Sequence, residues 1–244
     1  MTLPDPSVVV RKLSLHSSLT GEAKEALRTF LGHPQAFAAG ALVARAGDPA
    51  DLISIVRDGV GCRMAMLPDG ERQIHCILFA GDAADVEASL LTRRSDYIQA
   101  ITPCSIWLVP KTRLAALPRT PNGLAEAFLR EAVLRAEITR EWVVNLGRRT
   151  ANERIAHLIC ELCARMDAMG IGADRVYPFP FTQQDIADAQ GLSTVHVNRV
   201  LKQLTGGGLF ELRLRTLRVL NRRKLEEAGL FDPAYLHFRS RAAA

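Results

Sequence analysis

The chain has no apolar run approaching the roughly 20 residues that a bilayer-spanning helix needs. It also lacks, at its start, the basic stretch and apolar core of a secretory leader. A cytoplasmic protein with no membrane partner is therefore expected. Cysteine is sparse: Cys62, Cys76, Cys104, Cys160 and Cys163 are the five, and without a secretion signal they are expected as free thiols. Cys160 and Cys163 stand three apart in a helical run with His157 nearby. A metal or redox pair is one reading and two small buried helix residues the other; the second matches the apolar behaviour of free cysteine. No paired carboxylates, Ser/His/Asp order or metal-ligand spacing stands out, so catalysis is not expected and no metal is assigned.

What the sequence does have is concentrated in Phe181 to Leu204, F-T-Q-Q-D-I-A-D-A-Q-G-L-S-T-V-H-V-N-R-V-L-K-Q-L. Thr182 caps a first helix, with Asp185 three residues on completing a capping box. Gly191 permits a sharp turn, and Ser193 caps a second helix. Val197, Val200, Leu201 and Leu204 have the i, i+3, i+4, i+7 spacing of a buried stripe. The opposite stripe is Val195, Asn198, Arg199 and Lys202, joined at the helix start by Thr194 and His196. Arginine reads guanine, asparagine reads adenine, lysine holds phosphate, and valine or threonine methyls meet the thymine methyl. The spacing predicts a helix-turn-helix that binds double-stranded DNA. The bland alternative is a helical pair whose polar face is only solvated.

Charge distribution favours DNA. The chain carries 31 basic and 26 acidic residues, but residues 1–147 hold 16 of each whereas 148–224 hold 13 basic and 7 acidic. The surplus sits on the segment with the motif, as phosphate contact requires. Arg148, Arg149, Arg213, Arg215, Arg218, Arg222, Arg223 and Lys224 flank the two helices.

Elsewhere the chain alternates between two kinds of pattern. An amphipathic lead-in, 19–31, precedes short β-compatible runs closed by glycine: A-L-V-A-R-A-G-D, L-I-S-I-V-R-D-G, G-C-R-M-A-M-L-P-D-G, Q-I-H-C-I-L-F-A-G-D and S-I-W-L-V-P. Such runs argue a small antiparallel sandwich or barrel. From Asn122 to Arg149 the sequence is proline-free and glycine-poor, with Leu124, Phe128, Ile138 and Trp142 near one face. A helix of this length with such a stripe pairs with a second copy or packs within its own chain; dimerisation through those four residues is the expectation. A further helix, 152–169, precedes the helix-turn-helix. After Gly206-Gly207-Gly208, residues 210–219 read as a hairpin with Arg213 and Arg215 at its tip. The sum is an α+β fold: an N-terminal antiparallel β-roll, a long dimerisation helix and a C-terminal winged helix-turn-helix.

In that order of parts, and in G-D at 47–48, I-S-I-V-R-D-G at 53–59, G-D at 81–82 and T-Q-Q-D-I-A-D-A-Q-G-L-S followed by V-N-R-V-L, the chain resembles the Crp/Fnr family of bacterial transcription regulators. The resemblance covers nearly the whole chain and implies a homodimer on a two-fold operator, with RNA polymerase as a further partner. It implies DNA contacts from Thr182, Gln183, Ser193, Thr194, Val195, His196, Asn198, Arg199 and Lys202, and from Arg213 and Arg215 on the wing. Most relatives touch bases with Glu, Ser and Arg of the recognition helix; the matching positions are Val195, Asn198 and Arg199. Valine removes a cytosine-facing acceptor, so the usual family operator is not expected.

Relatives that respond to cyclic nucleotides hold ribose with a glutamate of a Gly-Glu pair, and the cyclic phosphate with an arginine and a hydroxyl. Glu87, Arg94 and Ser95 are the corresponding candidates. Val86 replaces the glycine, the spacer is short, and Asp96 brings a carboxylate toward an anion site, which repels it. The signal is therefore expected to be something other than a cyclic nucleotide. Oxygen-sensing relatives bind iron–sulfur through N-terminal cysteines, but the first cysteine here is Cys62. His75 and Cys76 alternate along one strand, one in and one out, and do not make a haem ligand set. No cofactor is expected. The division read from the sequence is a sensory β-roll at 1–119, the long helix at 120–149, the winged helix at 150–225 and a tail at 226–244. The competing class is a cyclic-nucleotide-binding regulatory module without DNA function.

Overall fold

Short runs of β-branched and aliphatic residues, each closed by a glycine turn, pair antiparallel. The computed structural model describes residues 5–239. The chain divides into two compact units, one reaching to Ala136 and the other spanning Glu137–Phe238.

The first unit starts with helices α1 (Ser7–Ser14) and α2 (Gly21–Leu31). Seven strands follow: β1 (Pro34–Phe37), β2 (Leu42–Ala44), β3 (Leu52–Asp58), β4 (Gly61–Met66), β5 (Arg72–Leu78), β6 (Tyr97–Ala100) and β7 (Cys104–Pro110), with a 3-10 turn at Val86–Leu90. They form two sheets, β1-β7-β3 and β2-β6-β4-β5. Every pairing is antiparallel. Ala44, Val56, Cys76, Leu78, Ala84 and Ile98 form a cluster drawn from both sheets, the interior of a β-roll. A larger cluster joins Ile53, Ile55, Trp107 and Val109 of β3 and β7 to Leu13, Leu27 and Phe30 of α1 and α2. All five expected runs contain strands; β1 and β6 are too short to show a period of their own. Helix α3 (Lys111–Ala115) leads toward α4 (Leu124–Arg148), which has the expected length.

The face that α4 turns inward differs from the expected division of labour. Leu124 and Phe128 lie in the large core cluster, and Phe128 packs on Phe30 with ring centroids 5.1 Å apart and planes tilted by 36°. Trp142 is 3 % exposed, and its Nε1 donates to Glu161 at 2.8 Å. Three of the four residues expected at a dimer seam thus pack within the chain, and Ile138 is half-buried. An amphipathic stripe reports that one face avoids water, not which partner covers it. The outward residues are Leu129, Val133, Ala136, Arg140 and Val143. Their spacing of four, three, four and three is that of a coiled-coil seam.

The second unit contains α5 (Ala151–Ala168), α6 (Gln183–Gln190), α7 (Thr194–Gly206) and α8 (Arg222–Gly229). Its sheet, in order β8-β10-β9, comprises β8 (Val176–Pro178), β9 (Phe210–Arg213) and β10 (Thr216–Val219). Thr150 and Glu153 form a full capping box at the start of α5, a motif that satisfies two otherwise orphaned N–H groups. Ile155 through Met166 are all buried. Helix α8 reaches α5 at Gly229, where an added Cβ would stand 2.6 Å from the backbone nitrogen of His157; only glycine allows that approach. A 3-10 turn, Pro233–Leu236, follows. It brings Tyr235 to α5, where its hydroxyl donates to Glu161 at 2.9 Å. No helix among the described residues is long and apolar enough to cross a membrane.

Candidate nucleic-acid interface

Local sequence builds the helix pair. The Thr182 side chain accepts from the Asp185 N–H at 3.1 Å, and Asp185 returns the bond to the Thr182 N–H at 2.9 Å. Helix α6 ends in Gly191 at φ 59°, ψ 44°, the left-handed cap that glycine adopts without steric cost. Ser193 then caps α7, accepting from the His196 N–H at 3.2 Å. Val197, Val200, Leu201 and Leu204 are buried, so α7 is fixed about its own axis.

That rotation sets the outward face. Val195 is 79 % exposed; Arg199 and Lys202 are exposed, while Thr194, His196 and Asn198 are half-buried. The Asn198 amide donates to Gln183 at 3.3 Å, joining the first turn of α6 to the middle of α7. Thr182, Gln183 and Ser193 are exposed beside this face. The structure therefore brings the helix-turn-helix candidates together on one surface.

The wing supplies more cation. Strands β9 and β10 pair Arg213 with Thr216, leaving Leu214 and Arg215 as a two-residue turn at φ 47° and 59°. Two successive positive φ values are the type I′ geometry, which matches strand twist and is usually made by Asn-Gly. Leu214, which the sequence did not mark, is 99 % exposed at its tip. Arg213, Arg215 and Arg218 are exposed. Neither they nor Arg199 and Lys202 have a side-chain ion pair among the described residues. Three other members of the basic set pair within the chain. Arg149 pairs with Glu141 at 2.7 Å, Arg222 with Asp167 at 2.5 Å and Arg223 with Glu227 at 2.9 Å. Uncompensated charge thus collects on α7 and the wing.

The two charged effector candidates are already paired within the fold. The Arg94 guanidinium is buried, donating to the Asp85 carboxylate and to the Leu52 carbonyl. Glu87 pairs with Arg63 at 2.5 Å, and Ser95 is exposed. Asp96 also differs from expectation: it is no bare carboxylate, accepting from Arg63 at 2.6 Å and lying 3.2 Å from His75. Burial pushes its carboxyl up, but the His75 hydrogen bond and the Arg63 charge outweigh burial and hold it below the usual range. The glutamate and arginine expected to receive a ribose and a phosphate are thus held by Arg63 and Asp85.

His157, Cys160 and Cys163 sit inside the second unit. Burial raises the Cys160 thiol and pushes Cys163 up to about 12, so both are protonated, inert core residues. Among the described residues no group of three His, Cys, Asp or Glu side chains could hold a metal ion.

Comparison with known proteins agrees with this layout. Residues 34–120 match the cyclic nucleotide-binding domain model, and 153–228 match the Crp-like helix-turn-helix domain model. The chain is 32 % identical over 203 residues to the nitrogen fixation regulation protein FixK of Bradyrhizobium diazoefficiens, covering 82 % of each protein. It is 26 % identical to the transcriptional activator protein FnrL of Cereibacter sphaeroides, covering 80 % of each. The solved structure of FixK2 from Bradyrhizobium japonicum superposes with a TM-score of 0.74 at 23 % identity, over 82 % of this chain and 98 % of that one. With its β-roll, long helix and winged helix-turn-helix in the same order as these relatives, the chain belongs to the Crp/Fnr family of transcription regulators.

Proposed function

We propose that the protein is a sequence-specific transcription regulator that acts as a homodimer on a two-fold DNA operator. The observation that carries this reading is the outward face of α7. Its exposed arginine and lysine lack ion-pair partners, and the wing beside it carries three more arginines in the same condition. Arg199 reads a base edge, Asn198 and Val195 contribute beside it, and Lys202, Arg213 and Arg215 hold phosphate. Thr182, Gln183, Ser193, Thr194 and His196 border the same groove. These free cations weigh against a regulatory module without DNA function, in which nothing would require them.

Self-association uses the outward stripe of α4 in place of the buried one. Leu129 and Val143 are 63 % and 65 % exposed and Val133 is 53 % exposed, a spacing and exposure that suit a parallel pair. The β-roll receives a signal other than a cyclic nucleotide, because Arg94, the charged candidate for the phosphate, already holds Asp85. Activity is in the cytoplasm, with RNA polymerase as the partner on DNA. The test is selection of random DNA by the full chain. A symmetric motif with half-sites about 10 base pairs apart is expected; recovery of unselected DNA would refute the reading.

A further inference from the structure

A cavity of about 680 Å³ opens in the first unit between the 3-10 turn, the segment leading from α3 into α4, and the first turns of α4. Its volume lies within the roughly 300–1,000 Å³ of pockets that bury drug-sized ligands. Val86 and Leu90 form one wall, Leu114 and Leu117 a second, Phe128 and Leu129 a third. Leu90 is 89 % exposed and leaves apolar surface open to water at the edge of the cavity, a feature that marks interaction sites.

Three charged side chains line this cavity: Glu87, Arg119 and Glu126. Glu87 pairs with Arg63 at 2.5 Å, an arginine it shares with Asp96, and Glu126 pairs with Arg130 at 2.6 Å. Arg119 is exposed and has no side-chain hydrogen bond or ion pair among the described residues. The cavity is therefore an apolar slot whose one guanidinium, that of Arg119, is unpaired.

We infer that this cavity binds an amphipathic monoanion, an alkyl chain ending in a single carboxylate. The chain lies against the leucine walls, losing apolar surface to them, and the carboxylate meets the Arg119 guanidinium in a charge-assisted pair. A polar nucleotide gains little from such walls. Because Phe128 and Leu129 belong to α4, an occupant bears on the helix proposed to join protomers. That consequence rests on the sensor role proposed above; the binding itself does not.

The experiment is calorimetric titration of the full-length protein with decanoate, 1-decanol and acetate, with DNA selection run on the same preparations. Decanoate is expected to bind one-to-one at micromolar concentration and acetate not at all. Arg119→Glu and Leu90→Asp change exposed side chains and keep the fold. Each is expected to weaken decanoate at least about tenfold. Absence of decanoate binding, or equal affinity for decanol, overturns the inference. So does a fall in oligomer mass in Leu90→Asp, which would assign the slot to a second copy of the chain. Protein that selects DNA but takes no decanoate loses this inference alone. Protein that takes decanoate through Arg119 but selects no DNA loses the proposed function alone.

Discussion

Arg94 and Asp85 hold one another inside the β-roll, with 6 % and 3 % of their side chains exposed. The other Asp85 oxygen accepts from the Ser54 N–H at 2.6 Å, so the carboxylate is fully committed to the fold. Removing Arg94 leaves that charge buried and unpaired. Arg94→Ala should therefore cost about 3–5 kcal/mol in urea unfolding. The intact protein should give no heat with cyclic AMP or cyclic GMP. Micromolar binding of either, lost in Arg94→Ala without a loss of stability, would return Arg94 to a phosphate site.

Arg199 and the wing arginines should fail in different ways. Arg199→Ala should relax preference at one base of each half-site, at a cost of about 1–3 kcal/mol. Identical sequence logos from the variant and the parent would mean that Arg199 only grips phosphate.

Arg213→Ala and Arg215→Ala should weaken all DNA alike. Each lost phosphate contact should lower the slope of log affinity against log salt by about 0.9. An unchanged slope in the double variant would remove the wing from the interface.

Two neighbouring positions on α4 separate packing from association. Phe128→Ala should destabilise the fold by about 3–5 kcal/mol and leave sedimentation at native conditions dimeric. Val133→Glu should leave stability nearly intact and yield monomers, since it sets a charge into a desolvated seam. The reverse outcome would put the partner copy on the inner stripe.

His157 makes stability depend on pH. Its ring is buried, with Nδ1 3.1 Å from the Gly229 carbonyl, to which it donates, and Nε2 3.2 Å from the Tyr235 hydroxyl. Burial first, and the Arg149 charge second, lower its pKa from 6.5 to about 4. The folded state thus refuses a proton that the unfolded chain accepts below 6.5. This contribution is complete above pH 6.5 and falls away as pH drops toward 4, by about 3 kcal/mol in total. Urea unfolding from pH 7.5 to 4.5 should show that loss in the parent and a flatter profile in His157→Gln. Parallel profiles would show that other groups carry the effect.

The helix pair was legible because its determinants are local. Thr182, Asp185, Gly191 and Ser193 act within four residues of themselves, and Val197 to Leu204 declare their face by spacing alone. The α4 seam was not legible, since Phe128 finds Phe30 from 98 positions away and nothing near Phe128 announces it. The Arg94 partner went unread for a related reason. A family pattern marked it as a ligand residue, while Asp85 nine residues earlier had already claimed it. Leu214 escaped notice because a type I′ turn is inferred from glycine or asparagine, and here neither is present.

Glu161 accepts from Trp142, 19 residues before it, and from Tyr235, 74 residues after it. Its carboxylate is completely buried, so the interior of the DNA-reading unit is incomplete until Tyr235 has been synthesised. At the ribosome, α6, α7 and the wing emerge while this core still lacks its last hydrogen-bond donor. Chains truncated before Tyr235 therefore carry the recognition sequence without a finished scaffold to aim it.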